Sequence, residues 1–538
     1  MDTSPDLSEA VDAIKNQQFE RASNFLSRIL EQDPDHLEAG WLAMQCKEQM
    51  QDREGAVAQF ARLVDRVSGD IATIGHLARI AFQNAYPMDG IIEACRDHCN
   101  KHPDSADAAF NLAYFLSNDG QHRAAIEAYQ EALKLDLRAP EQAEMNIASI
   151  YMDQLDDPGK ATRHLQQARS LNPLNGAVYY NLGNLAEQSG DRTLAAHNFE
   201  KALELDPGND PVLARLADTH RFADAEDPLL KRMVAAAPAT TSRDLHFALG
   251  RAYDQLGDFK KAWHHFSQAN DQDAQVFPPY LPEQAGNVFE RIMETSDQDW
   301  ISASHSNSNG PVFICGLYRT GTTLLEQVIG AHPSFTAGGE SEFFPRLVAR
   351  HFPYYPDGLS DIDENDILSW RAGHEQLQQL KAGSSRLTDK RPDNFLCAGL
   401  IRKILPSARF VVTERDPRDT AVSIFATRLG PRQNYATRLE HIRHYIGLHR
   451  KLVDHWVSVM GDAIYRIRYE DLVEQPRESV ESLLNWLGEE WDDRCLEFHR
   501  QAGAVRTASV WQVREPLHTR SVGRWRNYST PVEAAFRS

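Results

Sequence analysis

Apolar and polar positions recur at helical spacing through the first half of the chain, and the pattern returns into register about every 34 residues. Residues 105–136, 143–173 and 176–207 can be laid over one another, each reading as helix, turn and second helix. In that superposition Tyr129, Leu165 and Phe199 coincide, as do Ala132, Ala168 and Ala202, at spacings of 36 and 34. Phe266 and Ala269 stand 67 positions past Phe199 and Ala202, leaving room for one degenerate unit. Upstream, Phe25 and Phe60 are 35 apart, and Pro34 and Pro103 are 69 apart.

Small residues where two helices cross, a turn such as Ser189-Gly190-Asp191, and proline after the second helix give this period its character. Together they resemble the tetratricopeptide repeat. The resemblance covers residues 5–275, is strong in the middle and weakens near 70–100 and 210–240. It implies an α-solenoid whose stacked units share one core and leave a groove for a protein or peptide. The recurring aromatic and alanine positions read as packing residues. The pattern is lost from about Asp271, residues 276–309 are predicted as linker, and the polar run at 302–310 is its clearest part.

The bulk numbers narrow the setting. A chain of 538 residues predicts two or three domains. A mean hydropathy of −0.51, no long uncharged apolar run and the opening MDTSPDLSEA predict a cytoplasmic protein with no membrane partner. Six cysteines without CxxC pairs suggest neither zinc nor a disulfide framework. From Pro311 onward 26 Arg and 4 Lys face 29 acidic residues, a balance of +1, so residues 1–310 carry −21. The acidic first part argues against nucleic acid as a partner. The Arg-rich second part, residues 310–538, offers planar forks suited to phosphate and sulfate oxygens, although the same side chains serve structural ion pairs.

There the apolar run Val312-Phe313-Ile314-Cys315 precedes a glycine-bounded loop, Gly316 to Thr323, and then LLEQVIGAH with helical periodicity. Strand, loop and helix in this order aim backbone N–H groups at a phosphate. The spacing is that of a P-loop, yet Thr322 fills the lysine slot. A nucleoside triphosphate needs that lysine, and an acidic residue for magnesium. The loop offers instead Arg319, Thr320, Gly321, Thr322 and Thr323, a set that suits a smaller anion without a metal. A second strand, Arg409 to Thr413, is followed by Glu414-Arg415-Asp416-Pro417-Arg418-Asp419, with a helix predicted to open at Pro417 and to include Ser423.

The first loop resembles the 5′-phosphosulfate loop of sulfotransferases, which use 3′-phosphoadenosine-5′-phosphosulfate, and the second stretch resembles their R-D-x-R-x-x-x-x-S segment. The resemblance implies a P-loop-type α/β domain with a central parallel sheet, a phosphosulfate co-substrate and no metal, and it places Arg415 and Ser423 on the 3′-phosphate. Over residues 311–530 the chain is most similar to the tyrosylprotein sulfotransferases. His332-Pro333, Gly338-Gly339-Glu340 and Pro345-Arg346 match without a gap, which assigns the general base to Glu340. Their Asn-Lys-Asp-Pro matches Asp389-Lys390-Arg391-Pro392, which assigns Lys390 with Arg319 to the sulfuryl group and leaving oxygen. By the same likeness Ser509 donates a hydroxyl, Tyr469 contacts the nucleotide, and Arg524 stands where that family has a lysine on the cofactor.

Other readings stay open at this point. Glu342 is near enough to be a rival base. The acceptor hydroxyl can belong to a protein tyrosine, a carbohydrate or a small molecule, and a P-loop kinase or a repeat scaffold with an inert catalytic half also fits parts of the sequence. That family is membrane-anchored and has a second acid where Gly339 stands here, so the acceptor does not follow from the likeness.

Overall fold

The computed structural model describes residues 5–66, 71–84, 86–155, 157–238, 240–301, 310–500 and 511–537. The chain divides into two compact units, Met1–Leu174 and Asn175–Ser538.

The first unit is built of paired helices, and the coinciding positions of the sequence pattern form its core: Tyr129, Ala132, Leu165 and Ala168 are all buried. The weak stretch near 70–100 holds two further helices, Ile71–Asn84 and Asp89–Lys101. Ser105 caps one helix by accepting from the Ala108 N–H, and Gly120 ends it in the left-handed conformation.

The second unit continues the repeats and then adds a sheet. Asp191 and Asp258, 67 residues apart, cap equivalent helices by accepting from the N–H groups of Leu194 and Lys261. Gly183 and Gly250 share that separation, and a Cβ at either would collide with the Phe199 or Phe266 ring. The period is therefore enforced by helix-to-helix contact as well as by apolar patterning. The degenerate region near 210–240 holds a helix Asp210–Thr219 and a shorter one, Pro228–Ala236.

Five parallel strands follow: β1 Val312–Gly316, β2 Phe335–Ala337, β3 Arg386–Lys390, β4 Arg409–Glu414 and β5 Ile464–Arg468, in the order β2-β3-β1-β4-β5. The central strand β1 is buried throughout, as a parallel sheet covered on both faces requires. The α-solenoid and the P-loop-type α/β fold expected from the sequence are both present.

Within the stretch predicted as linker, Pro282–Thr295 is a helix that buries Phe289 and Ile292, while residues 302–309 lie outside the described residues. The helices from Gly176 onward belong to the same compact unit as the sheet, and the reason is a shared core. Trp263 stacks on Phe425 at 4.6 Å between ring centroids, the Asn270 amide donates to the Phe425 carbonyl at 2.8 Å, and Phe199, Phe266 and Phe410 fall in one buried cluster.

Candidate functional site

The loop between β1 and the helix Thr322–Gly330 sits where a topological switch places ligands in a parallel sheet, since β1 pairs with β3 on one side and β4 on the other. Its backbone is unusual. Arg319 has φ +70° and Gly321 φ +100°, and a Cβ on Gly321 would lie 2.8 Å from the Tyr469 ring. The helix opens at Gly321, which has no side chain to cap it, and a helix N-terminus favours an anion.

A cavity of about 270 Å³ opens over this helix start. Arg319, Gly321, Thr322, Thr323, Glu340, Arg415, Ser423, Tyr469 and Arg524 all line it. Residues 104 apart in sequence meet here: the Arg319 Nε donates to the Ser423 Oγ at 3.2 Å. Arg415 donates to the Arg319 carbonyl at 3.0 Å and to the Ser521 carbonyl at 2.5 Å, and its guanidinium lies 4.7 Å from the Tyr469 ring centroid. Burial, and after it the charges of Arg415 and Arg524, bring the Arg319 guanidinium down to about 10. Crowded cations of this kind are what a bound anion relieves.

Thr320 was expected among the phosphate ligands. Its hydroxyl is instead buried beneath the loop, donating to the Leu317 carbonyl at 2.6 Å and lying 2.7 Å from the Thr413 hydroxyl, and its N–H bonds back to Leu317. Both polar groups are used in shaping the loop, and Thr320 is not among the residues lining the cavity.

At the rim, Glu340 Oε1 accepts from Lys390 Nζ at 2.6 Å. Lys390 is 1% exposed, whereas the Glu340 side chain is 38% exposed, so the carboxylate can meet a second molecule and the ammonium is held from below. Glu342, the rival, is tied to Arg391 at 2.7 Å and does not line the cavity. Ser509 lies outside the described residues.

Three carboxylates that the sequence reading did not single out support this arrangement. Buried Glu326, on the helix Thr322–Gly330, accepts from the Gly339 N–H at 2.9 Å and from Thr388 at 3.2 Å, holding the turn that carries Glu340. Burial raises its carboxyl above the usual range. Asp419 accepts from the N–H groups of Gly523 and Trp525 at 2.6 and 2.8 Å, fixing the backbone on both sides of Arg524. Asp254, from a repeat helix, pairs with Arg524 at 2.8 Å. A sequence signal existed for Glu326, an acid inside the apolar helical run LLEQVIG, and for Asp419, the second acid of the Arg415 motif. Asp254 had none, because it lies 270 residues before its partner. Among the described residues no group of three or more His, Cys, Asp or Glu could hold a metal ion.

Comparison with known proteins bears on this geometry. The family described as "Sulfotransferase family" matches residues 311–493, and two families described as "Tetratricopeptide repeat" match 106–138 and 142–277. An Aquifex aeolicus (strain VF5) protein described as "Uncharacterized protein" is 26% identical over 390 residues, 68% of this chain and 51% of that one, so the chain spans about half the length of that relative. The protein-tyrosine sulfotransferase 1 of Danio rerio is 25% identical over 280 residues, 46% of this chain and 78% of that one. The solved sulfotransferase domain from the Synechococcus PCC 7002 olefin synthase aligns with a TM-score of 0.32 at 17% identity, over 44% of this chain and 98% of that one. Residues 311–493 are thus similar to the sulfotransferase family, in a chain whose earlier residues match tetratricopeptide repeats.

Proposed function

We propose that the chain transfers a sulfuryl group from 3′-phosphoadenosine-5′-phosphosulfate to an acceptor hydroxyl, with a protein or peptide tyrosine presented by the repeats as the foremost acceptor. The observation that carries this reading is the convergence of Arg319, Arg415, Ser423 and Tyr469 on one cavity at the helix start at Gly321, with Glu340 in its lining and buried Lys390 bonded to Glu340 from outside that lining. Repeats at 106–138 and 142–277 favour a polypeptide acceptor, as does the likeness to a protein named for tyrosine sulfation. The six free cysteines, four of them buried, suit a reducing compartment, and we place the protein in the cytoplasm.

In this reading the loop N–H groups, Thr322, Thr323 and Arg319 hold the 5′-phosphosulfate, and Arg415 and Ser423 hold the 3′-phosphate. Tyr469 packs against the loop at Gly321 and Arg524 adds a further cation to the lining. Glu340 takes the proton of the acceptor hydroxyl as its oxygen bonds to sulfur and the sulfur–oxygen bond to the phosphate breaks, leaving a sulfate ester and adenosine 3′,5′-bisphosphate. Lys390, released from Glu340 as that carboxylate is protonated, stabilises the charge growing on the leaving oxygen. Ser509 adds a hydroxyl donor.

The test is incubation with donor labelled on sulfur, tyrosine peptides, simple sugars and phenols, with calorimetry of adenosine 3′,5′-bisphosphate alongside. Label on a hydroxyl and micromolar binding of the bisphosphate are expected. Tight magnesium-dependent ATP binding with no heat from the bisphosphate would replace this reading with a kinase.

A further inference from the structure

Residues 511–528 contribute Glu515, His518, Ser521 and Arg524 to the lining of the cavity. This segment pairs with no strand and forms only the short turns Gln512–Arg514 and Arg524–Tyr528. Its shape is therefore set by what its side chains grip, and much of that grip is on the repeats. The Trp511 indole N–H donates to the Glu187 Oε1 at 3.1 Å, under the Arg192 guanidinium at 4.5 Å. Arg514 donates to the Gln188 carbonyl at 2.7 Å, beside the Gly190 turn, and Glu515 pairs with Arg221 at 2.7 Å. Last comes Arg524, paired at 2.8 Å with Asp254 near the end of the repeat helix Arg243–Gln255. The Tyr528 hydroxyl also donates to Asp254, and its ring packs on Phe259 and Trp263.

Asp254 thus holds a cation that also lines the donor cavity. A guanidinium carries five donors in a planar fork. Asp254 and the Tyr528 hydroxyl engage part of that fork and restrict its plane, while Arg524 itself lines the cavity that Arg319 and Arg415 share. The backbone of Arg524 is clamped separately by Asp419, so the carboxylate of the repeat acts on the Arg524 side chain and, through the Tyr528 hydroxyl, on the far end of the turn. The pair is shielded, with side-chain exposures of 26% and 19%, which makes it less subject to solvent screening than the surface pair Arg221–Glu515, where the arginine is 73% exposed.

We propose that Asp254 is a positioning residue for donor binding, through which the last tetratricopeptide unit forms part of the nucleotide site. This rests on the sulfotransferase reading above. It assigns the repeats a second task besides presenting the acceptor: a unit that shifts the helix Arg243–Gln255 shifts Arg524 with it and changes donor affinity. Acceptor engagement at the repeats and donor occupancy would then be linked, each altering the other by the same factor.

The experiment is a double-mutant cycle in the full chain with Asp254→Asn and Arg524→Gln, read by calorimetry of adenosine 3′,5′-bisphosphate and by donor KM and kcat. Asp254→Asn should weaken the nucleotide about tenfold and raise donor KM alike, with kcat at saturating donor within about threefold. In the Arg524→Gln background the same change should cost less than about twofold. Hydrogen exchange without nucleotide should show residues 511–528 exchanging faster in Asp254→Asn. If that variant fails to fold, Asp254→Glu, which keeps the charge but moves the carboxylate by one methylene, should give a smaller loss that Arg524→Gln again removes. Additive losses, or unchanged affinity in a wild-type background that does bind the bisphosphate, overturn the positioning role. No heat from wild type overturns the functional reading, and this inference with it.

Discussion

Replacing Arg415 by alanine tests the nucleotide assignment most sharply, provided that two effects are separated. Arg415 donates to the Arg319 and Ser521 carbonyls and lies over Tyr469, so its loss loosens the cavity for any nucleotide. That common penalty is about 1–2 kcal/mol for two neutral acceptors left to water. A direct bond to a 3′-phosphate is charge-assisted, and its loss costs a further 1.5–3 kcal/mol or roughly 10- to 150-fold in affinity. Titrating wild type and Arg415→Ala with adenosine 3′,5′-bisphosphate and with adenosine 5′-phosphate, at one ionic strength, cancels the common term. The loss for the bisphosphate should exceed that for the monophosphate by at least tenfold. A ratio below about threefold would mean that Arg415 only braces the loop, and the 3′-phosphate would have to be sought elsewhere on the wall.

Glu340→Gln should lower turnover by at least about 100-fold, the usual contribution of a general base, with bisphosphate affinity within about threefold; turnover near wild type would remove Glu340 from the reaction. Gly321→Ala places a Cβ 2.8 Å from the Tyr469 ring at φ +100°, and should cost on the order of 2 kcal/mol in denaturant melts along with most nucleotide affinity; an unchanged melt and titration would show that the loop yields easily. Burial pushes the Asp389 carboxyl up to about 7, so the folded protein keeps that proton while the unfolded chain loses it near pH 4, and the group's contribution to stability falls as pH rises between the two. Asp389→Asn retains an acceptor for Asn394 and should gain stability over wild type progressively from pH 5 to 7, by on the order of 2 kcal/mol; a pH-independent difference would place the titration on another group.

How much of this could be read from the chain depends on how far apart the interacting residues lie. Phe199 and Ala202 announce themselves because their contacts are one helix away and repeat with the period, and Gly183 opposite Phe199 could have been inferred from the same logic. The loop from Gly316 to Thr323 was legible because its function needs strand, glycines and helix to be contiguous. Thr320 was misplaced because residue type alone does not say which side of a loop a hydroxyl takes, and here the neighbouring strand's Thr413 captured it. Only the family likeness favoured Glu340 over Glu342 in the sequence. In the structure each carboxylate has a cation, Lys390 for Glu340 and Arg391 for Glu342, and Glu340 is the one that lines the cavity. Asp254 was beyond reach, since no local pattern marks an acid whose partner arrives with the last residues of the fold.

The charge asymmetry takes on a different meaning once the second unit is seen whole. Part of the acidic excess before residue 310 meets the arginines that follow: Asp244 with Arg428 at 2.9 Å, Asp271 with Arg438 at 2.5 Å, and Asp254 with Arg524 at 2.8 Å. The first two are substantially exposed and contribute at most about 1 kcal/mol each, so they fix how repeat and sheet meet more than they hold them together. Cohesion comes from the apolar contact between them. A cut between residues 275 and 310 would strip Trp263 from Phe425 and Tyr528, at about 25 cal/mol for each Å² of apolar surface returned to water. The same cut would leave Arg524 without its carboxylate in a cavity already crowded by Arg319 and Arg415. The sheet supplies the loop from Gly316 to Thr323, but the charge of the cavity over it is completed by helices that, in the sequence, belong to another domain.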